Sequence, residues 1–253
     1  MKRSLALACA ALVSACIPNG PPTGTADAGP AAGVVPTTPK KPPAPIASRD
    51  GERAPDPMIS EPFVDAFERG AIGDGWRALS GAWRIENGRL CGKSGRNRGI
   101  WLARRIPTNA RIEFDATSAS SDGDIKAEVW GDGLTGATTS SYSNATSYLV
   151  LFGAWSNTKH MLARLDEHRP KNPVYKVDPL DDDPRGRPVA AGQTYHLTIE
   201  RTDGHTVRWL VDDVVMHRFD DPEPLKGDGH DHFAFNDWET PVCFDNLKIV
   251  PLE

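Results

Sequence analysis

The residues best suited to chemistry in this sequence fall on short stretches where polar and apolar side chains alternate. Across 160–168, Met161, Ala163 and Leu165 form one set, and His160, Leu162, Arg164, Asp166 and His168 form the other. Across 124–130, Ile125, Ala127 and Val129 alternate with Asp124, Lys126, Glu128 and Trp130. Across 110–117, Ile112, Phe114 and Ala116 alternate with Glu113 and Asp115. A strand sends successive side chains to opposite faces, so the apolar sets are expected in a core and the polar sets on an exposed sheet face. Such a face suits sugar recognition. Trp130, Trp155 and Trp238 offer rings to stack on sugar faces, while Asn157, Arg164, Asp166, His168 and Asn236 offer hydrogen bonds to hydroxyls. The plainer alternative is a solvated sheet face. Trp130 is the stronger pointer, because a large aromatic out of phase with the core is unusual.

Catalysis on a sugar needs two carboxyl groups about 5 to 9.5 Å apart. Glu113 with Asp115, or Glu128 with Asp166, could supply them, and the grouping of His160, Arg164, Asp166 and His168 also motivates an enzyme. No Gly-x-Ser-x-Gly nucleophile elbow occurs. Metal-ligand patterns are weak. Asp178, Asp181, Asp182 and Asp183 lack EF-hand spacing and are interrupted by Pro179 and Pro184. His230 and His232 have no third ligand at a zinc-site spacing. The formal net charge is −5, with no Lys/Arg stripe, which argues against a nucleic-acid partner.

The elements that must position these residues are strands. Trp83-Arg84-Ile85-Glu86 and Arg89-Leu90-Cys91 flank Asn87-Gly88, a strong hairpin signal. Tyr195, Leu197 and Ile199 alternate with polar residues, as do Val207, Trp209 and Val211 after Asp203-Gly204. Asp212-Asp213 turns the chain into 214–219, and further period-2 segments lie at 100–105, 148–154, 232–236 and 242–250. No stretch keeps a helical period over three turns. A dozen or so strands with short turns predict an antiparallel two-sheet β-sandwich or a barrel.

Before this domain, at 61–253, the chain reads differently. Lys2 and Arg3 precede an apolar run from Leu5 to Val13, the pattern of a secretory signal at 1–15. The run is about half the roughly 20 residues needed to span a bilayer. Val13-Ser14-Ala15-Cys16 resembles the bacterial lipobox. That resemblance implies cleavage before Cys16, its lipidation and a membrane anchor. Ile17, rather than Asp, follows the cysteine, which favours the outer membrane within the cell envelope. The segment 16–60 is rich in Pro, Ala, Gly and Thr and is expected to be a disordered tether, reaching on the order of 130 Å if extended as polyproline. Cys9 falls in the signal, so Cys91 and Cys243 are the cysteines of the folded part. In an oxidising compartment they are a disulfide candidate, with two small buried thiols as the alternative.

Phe63-Val64-Asp65-Ala66-Phe67, then Gly75-Trp76 and Trp83-Arg84-Ile85-Glu86-Asn87-Gly88, resemble the opening of concanavalin A-like (LamG-like) jelly-roll domains. Trp209-Leu210-Val211-Asp212-Asp213 resembles their W-x-V-D-G hairpin, and Phe244-Asp245-Asn246-Leu247 their closing F-D-N-V strand. The resemblance implies an all-β, concanavalin A-like jelly roll and a choice among glycan-binding modules, glycosidases and adhesion domains. It also implies a possible structural calcium at Asp245. The glycosidases of this fold carry Glu-x-Asp-x-x-Glu on one strand, whereas Glu113-Phe114-Asp115-Ala116-Thr117-Ser118 ends in serine. The expectation is therefore a tethered, non-catalytic module for carbohydrate or a surface partner. The alternatives are a glycoside hydrolase or lyase with an unfamiliar acidic/His site, and a purely structural envelope protein.

Overall fold

The computed structural model describes residues 55–253. The expected signal at 1–15, the lipidation site Cys16 and the tether up to residue 54 lie outside the described residues. Fifteen strands follow in chain order: β1 (Phe63–Asp65), β2 (Trp76–Ala78), β3 (Trp83–Glu86), β4 (Arg89–Gly92), β5 (Ile100–Arg105), β6 (Ala110–Ser118), β7 (Ile125–Gly131) and β8 (Tyr148–Gly153). After these come β9 (Lys159–Arg164), β10 (Val174–Lys176), β11 (Thr194–Arg201), β12 (Thr206–Val211), β13 (Val214–Asp220), β14 (His232–Asn236) and β15 (Val242–Pro251). Among the described residues no helix is long and apolar enough to cross a membrane.

The strands pair antiparallel into two sheets. One runs β13-β12-β11-β6-β15-β4-β3, with β1 also on β15; the other runs β10-β9-β8-β7-β14-β5-β2. Local chemistry explains the hairpins. Asn87 and Gly88 join β3 to β4 with φ of 52° and 70°, the left-handed pair that matches strand twist. Asp212 and Asp213 do the same between β12 and β13 at 46° and 66°. The strands β1, β2 and β10 have three residues each, too few for a period of two to show in sequence.

The core lies between the sheets. Phe114 of β6, Phe233 and Phe235 of β14 and Phe244 of β15 interlock, with ring centroids 4.1 to 6.0 Å apart. Ile112, Phe114 and Ala116 face inward, and Glu113 and Asp115 face out, as their alternation predicts. In β9 the faces are the reverse of the expectation. Leu162 joins the inter-sheet core, while Met161 and Ala163 pack in a smaller cluster with Tyr142, Leu149 and Leu151. Loops cover the far face of this sheet, so both faces of β9 are buried and alternation no longer marks the inside.

The chain enters the domain across both sheets. Ile59 is buried, its amide donates to the Arg105 carbonyl at 2.8 Å, and Arg105 N donates to Pro57 O at 3.0 Å. Four residues later β1 pairs with β15 of the opposite sheet. Asp56 adds an ion pair to Arg77 (2.6 Å) and a hydrogen-bond contact with His232 Nε2 (3.1 Å). Packing therefore begins inside the stretch that composition assigns to the tether.

Cys91 and Cys243 are cross-strand partners on β4 and β15 and are joined by a disulfide. It closes a loop of 152 residues, and such a link restricts the unfolded chain. Reduction, or the double change Cys91→Ala/Cys243→Ala, is expected to lower the unfolding free energy by about 2–4 kcal/mol, read as a lower urea midpoint. Equal midpoints with and without reductant would contradict this.

Candidate functional site

The far face of the seven-stranded sheet holds charges where a simple strand face would meet water. Lys126 and Glu128 alternate outward along β7, yet both are buried. Lys126 Nζ donates to Asn97 Oδ1 at 2.7 Å and to Glu167 at 3.3 and 3.4 Å, and lies 3.9 Å from Asp124. Burial disfavours the ammonium, but Glu167 and Asp124 outweigh it and hold its pKa above the ordinary value. Burial raises the pKa of Asp124 despite Lys126 and an amide hydrogen bond from Trp238. Glu128 accepts from Tyr142 Oη (2.9 Å), Ser147 Oγ (2.7 Å) and Asn236 Nδ2 (2.5 Å). Its burial nonetheless pushes the pKa up to about 7. Tyr142 comes from the loop after β7. Asp132 folds that loop back by accepting from Leu134 N and Thr135 N at 2.9 and 2.8 Å.

Above this floor lies a cavity of about 400 Å³, lined by Asn97, Asp124, Lys126 and Glu167 below and by Trp155, His168 and Trp238 at its sides. Trp155 sits in an unusual turn. Trp155, Ser156 and Asn157 are all left-handed, at φ 51°, 51° and 61°, just after Gly153 at 80°. Each such non-glycine residue costs roughly 1–2 kcal/mol, so the surroundings must hold the turn. Asn157 Nδ2 donates to Ser121 O and Val189 O, both at 2.8 Å, and its Oδ1 accepts from Val189 N at 3.0 Å. His160 Nδ1 accepts from Gly153 N at 2.9 Å, and its Nε2 lies 3.0 Å from Arg187 O. Trp155 is left 37% exposed, with Lys159 Nζ 3.9 Å over its ring and His168 edge-on at 5.6 Å.

Trp238 is half-buried and presented by another fixed loop. Segment 93–98 docks on it through Arg96 N to Trp238 O and Asn97 N to Asp237 O, both at 2.9 Å. Gly95 N donates to Asp237 Oδ1 at 2.9 Å. Asp237 is buried, and burial with nearby Asp124 raises its pKa to about 7. A Cβ on Gly95 would lie 2.1 Å from Asp237 Oδ1, so a larger residue there must displace the Asp237 carboxyl.

Of the residues expected to meet a ligand, the structure brings Trp155, His168 and Trp238 to the cavity. The others have different roles. Trp130 is fully buried in the core, its Nε1 donating to Pro107 O at 3.0 Å and Arg201 lying 3.9 Å over its ring. It is a bulge residue at φ 53°, skipped as pairing moves from Val129–Phe233 to Gly131–His232. The extra residue reverses the phase and turns the ring inward. Asn157 anchors the left-handed turn. Arg164 pairs with Asp221 at 2.7 Å, and Asp166 caps the His168 amide at 2.9 Å. Asn236 is buried against Glu128. Glu113 and Asp115 lie on the outer face of the other sheet, with Arg111, Lys248, His196 and Asn246. Asp245 sits there too and accepts the Asn246 amide at 2.7 Å. Among the described residues no three His, Cys, Asp or Glu side chains converge as a metal-ligand set. Sequence reasoning missed Asn97, Glu167 and Asp237. The run Gly95-Arg96-Asn97-Arg98-Gly99 was the available signal for the first of these.

No family model and no curated protein matches the sequence. Solved structures are similar in fold. A β-glucanase of Bacillus licheniformis superposes with a TM-score of 0.52 at 11% identity, over 77% of this chain and 100% of its own. The fold is a concanavalin A-like jelly roll. A prokaryotic β-1,3-1,4-glucanase (lichenase) derived from a mouse hindgut metagenome gives 0.51 at 12% identity, over 76% and 99%. An alginate lyase gives 0.50 at 13%, over 78% and 100%. At these identities the likeness is one of architecture.

Burial, with a smaller contribution from His217, lowers the pKa of His160 to about 4. The unfolded chain therefore takes up this proton first, near pH 6.5. The stability His160 contributes is complete above that pH and is lost as pH falls towards 4, by on the order of 3 kcal/mol. Glu128 and Asp237 act in the opposite sense, because their raised pKa values remove stability as pH rises to about 7. His160→Asn, which keeps an acceptor for Gly153 and does not titrate, should flatten the acid side of a stability-against-pH curve. An unchanged acid slope would contradict the assignment.

Proposed function

We propose that this domain recognises carbohydrate in the cavity between Trp155 and Trp238 and does so without catalysis. The observation that carries this reading is the pair of partly exposed tryptophans, each on a hydrogen-bonded loop, lining one polar cavity. Indoles bury large area on sugar faces, and few, well-placed polar groups set orientation. Asn97, Ser140, Ser156 and Thr240 line the same space and can meet hydroxyls. Pre-formed loops reduce the ordering cost of binding. The acid and base candidates fit catalysis poorly. Glu128 is sealed by Tyr142, Ser147 and Asn236, while Asp124 and Glu167 are both engaged by Lys126. The fold is shared with two glucanases and an alginate lyase, which supports a glycan as the ligand class.

The full chain, solubilised in detergent, should be retained on a subset of immobilised polysaccharides with no sugar released into the soluble phase. Trp155→Ala and Trp238→Ala should each weaken retention at least about ten-fold, or ~1.4 kcal/mol, with unchanged melting. Released product would replace the module with an enzyme, and absence of retention on every polysaccharide would sink the reading.

We propose further that Cys16 carries the lipid that tethers the domain to the cell envelope. The lipobox-like Val13-Ser14-Ala15-Cys16 supports this. Fatty-acid labelling of the expressed chain should disappear in Cys16→Ser, and persistent labelling would contradict it.

A further inference from the structure

A second depression, of about 270 Å³, shares Trp238 and Ser140 with the cavity described above. Its chemistry is different. The first cavity carries Asp122, Asp124, Glu167 and Glu239 against one buried lysine. The second has Arg96, Arg98, Thr138 and Thr139 and no carboxylate in its lining. Arg96 is partly compensated, since it lies 2.5 Å from Glu239 and 4.9 Å over the Trp238 ring. Arg98 is exposed and has no carboxylate partner among the described residues; its one side-chain hydrogen bond there is Nε to Gly95 O, at 3.5 Å. Lys93 adds charge on the same acid-free segment.

The position of Arg98 is fixed by its backbone. Arg98 N donates to Gly95 O at 3.0 Å, its carbonyl accepts from Trp83 Nε1 at 3.0 Å, and flanking Asn97 holds Asp237 and Ala137. The guanidinium thus extends from a hydrogen-bonded backbone with no carboxylate partner among the described residues, beside an indole and two threonine hydroxyls. Guanidinium forks pair bidentately with carboxylate and sulfate-like oxyanions.

We propose that this second depression takes the anionic substituent, a carboxylate or sulfate ester, of the bound saccharide, with Arg98 as its partner. The inference rests on the glycan reading above and names its substrate class. The polarity across Trp238 also orients the chain, because the acidic cavity repels an anionic residue and the arginine side attracts it.

The test compares binding of the full chain to a polyuronate, a sulfated galactan and a neutral β-glucan. The expected result is at least ten-fold tighter binding to one or both anionic polymers at low salt. That preference should shrink near 1 M salt, where screening acts over about 3 Å. Which anionic polymer binds distinguishes carboxylate from sulfate. Arg98→Gln should remove the preference and leave binding to the neutral polymer, whereas Trp155→Ala should weaken both. Equal binding of neutral and anionic polymers by the wild type, or a preference that survives in Arg98→Gln, overturns this inference and leaves the glycan reading standing. Binding to none of the polymers overturns both.

Discussion

The ammonium of Lys126 is buried beneath loops, and a buried cation persists only where partners replace its lost hydration. Those partners arrive from separate parts of the chain. Asn97 comes from the connection between β4 and β5, Glu167 from that between β9 and β10, and Asp124 from the approach to β7. One charge therefore sets the positions of three loops at once. Glu128, two residues along, gathers Tyr142, Ser147 and Asn236 by the same logic. Together they turn a sheet face that would otherwise meet water into the floor of a cavity, and every exposed group around that cavity is placed relative to this floor.

The cavity rim includes a strained turn. Three consecutive left-handed residues present Trp155, and the opposing hydrogen bonds come from Asn157 and His160, whose side chains point away from the cavity. Display and support are divided between neighbours in sequence: the indole meets the solvent, and the amide two residues later holds the backbone. Trp238 shows the same division, with Asp237 holding Gly95 while the indole faces outward. In both places the supporting side chain is polar and within two residues of the aromatic, so polarity alone does not separate it from a group that faces the cavity.

Much of the architecture was legible because β6, β11 and β12 pack one face on the core, and their alternation reports it directly. The Asn87-Gly88 turn carried its own conformational signature. Legibility failed wherever a second layer covered the sheet. Met161 and Ala163 read as core because they are apolar, and they are indeed buried, but under loops rather than between sheets. Trp130 read as outward because a bulge at its own position is invisible to a period of two. Trp155, His168 and Trp238 stand out by residue type and line the cavity, whereas Asn97, Glu167 and Asp237 depend on loops that meet only in three dimensions.

The way the chain enters the fold has a mechanical consequence. Residues 57–59 are hydrogen-bonded to the end of β5 in one sheet, and β1 then crosses to β15 in the other. A pull applied upstream of residue 55 meets first the polar contacts of Asp56 with Arg77 and His232, then the buried Ile59, and only then the three-residue β1. Load is thereby shared between both layers of the sandwich before it can peel an edge strand.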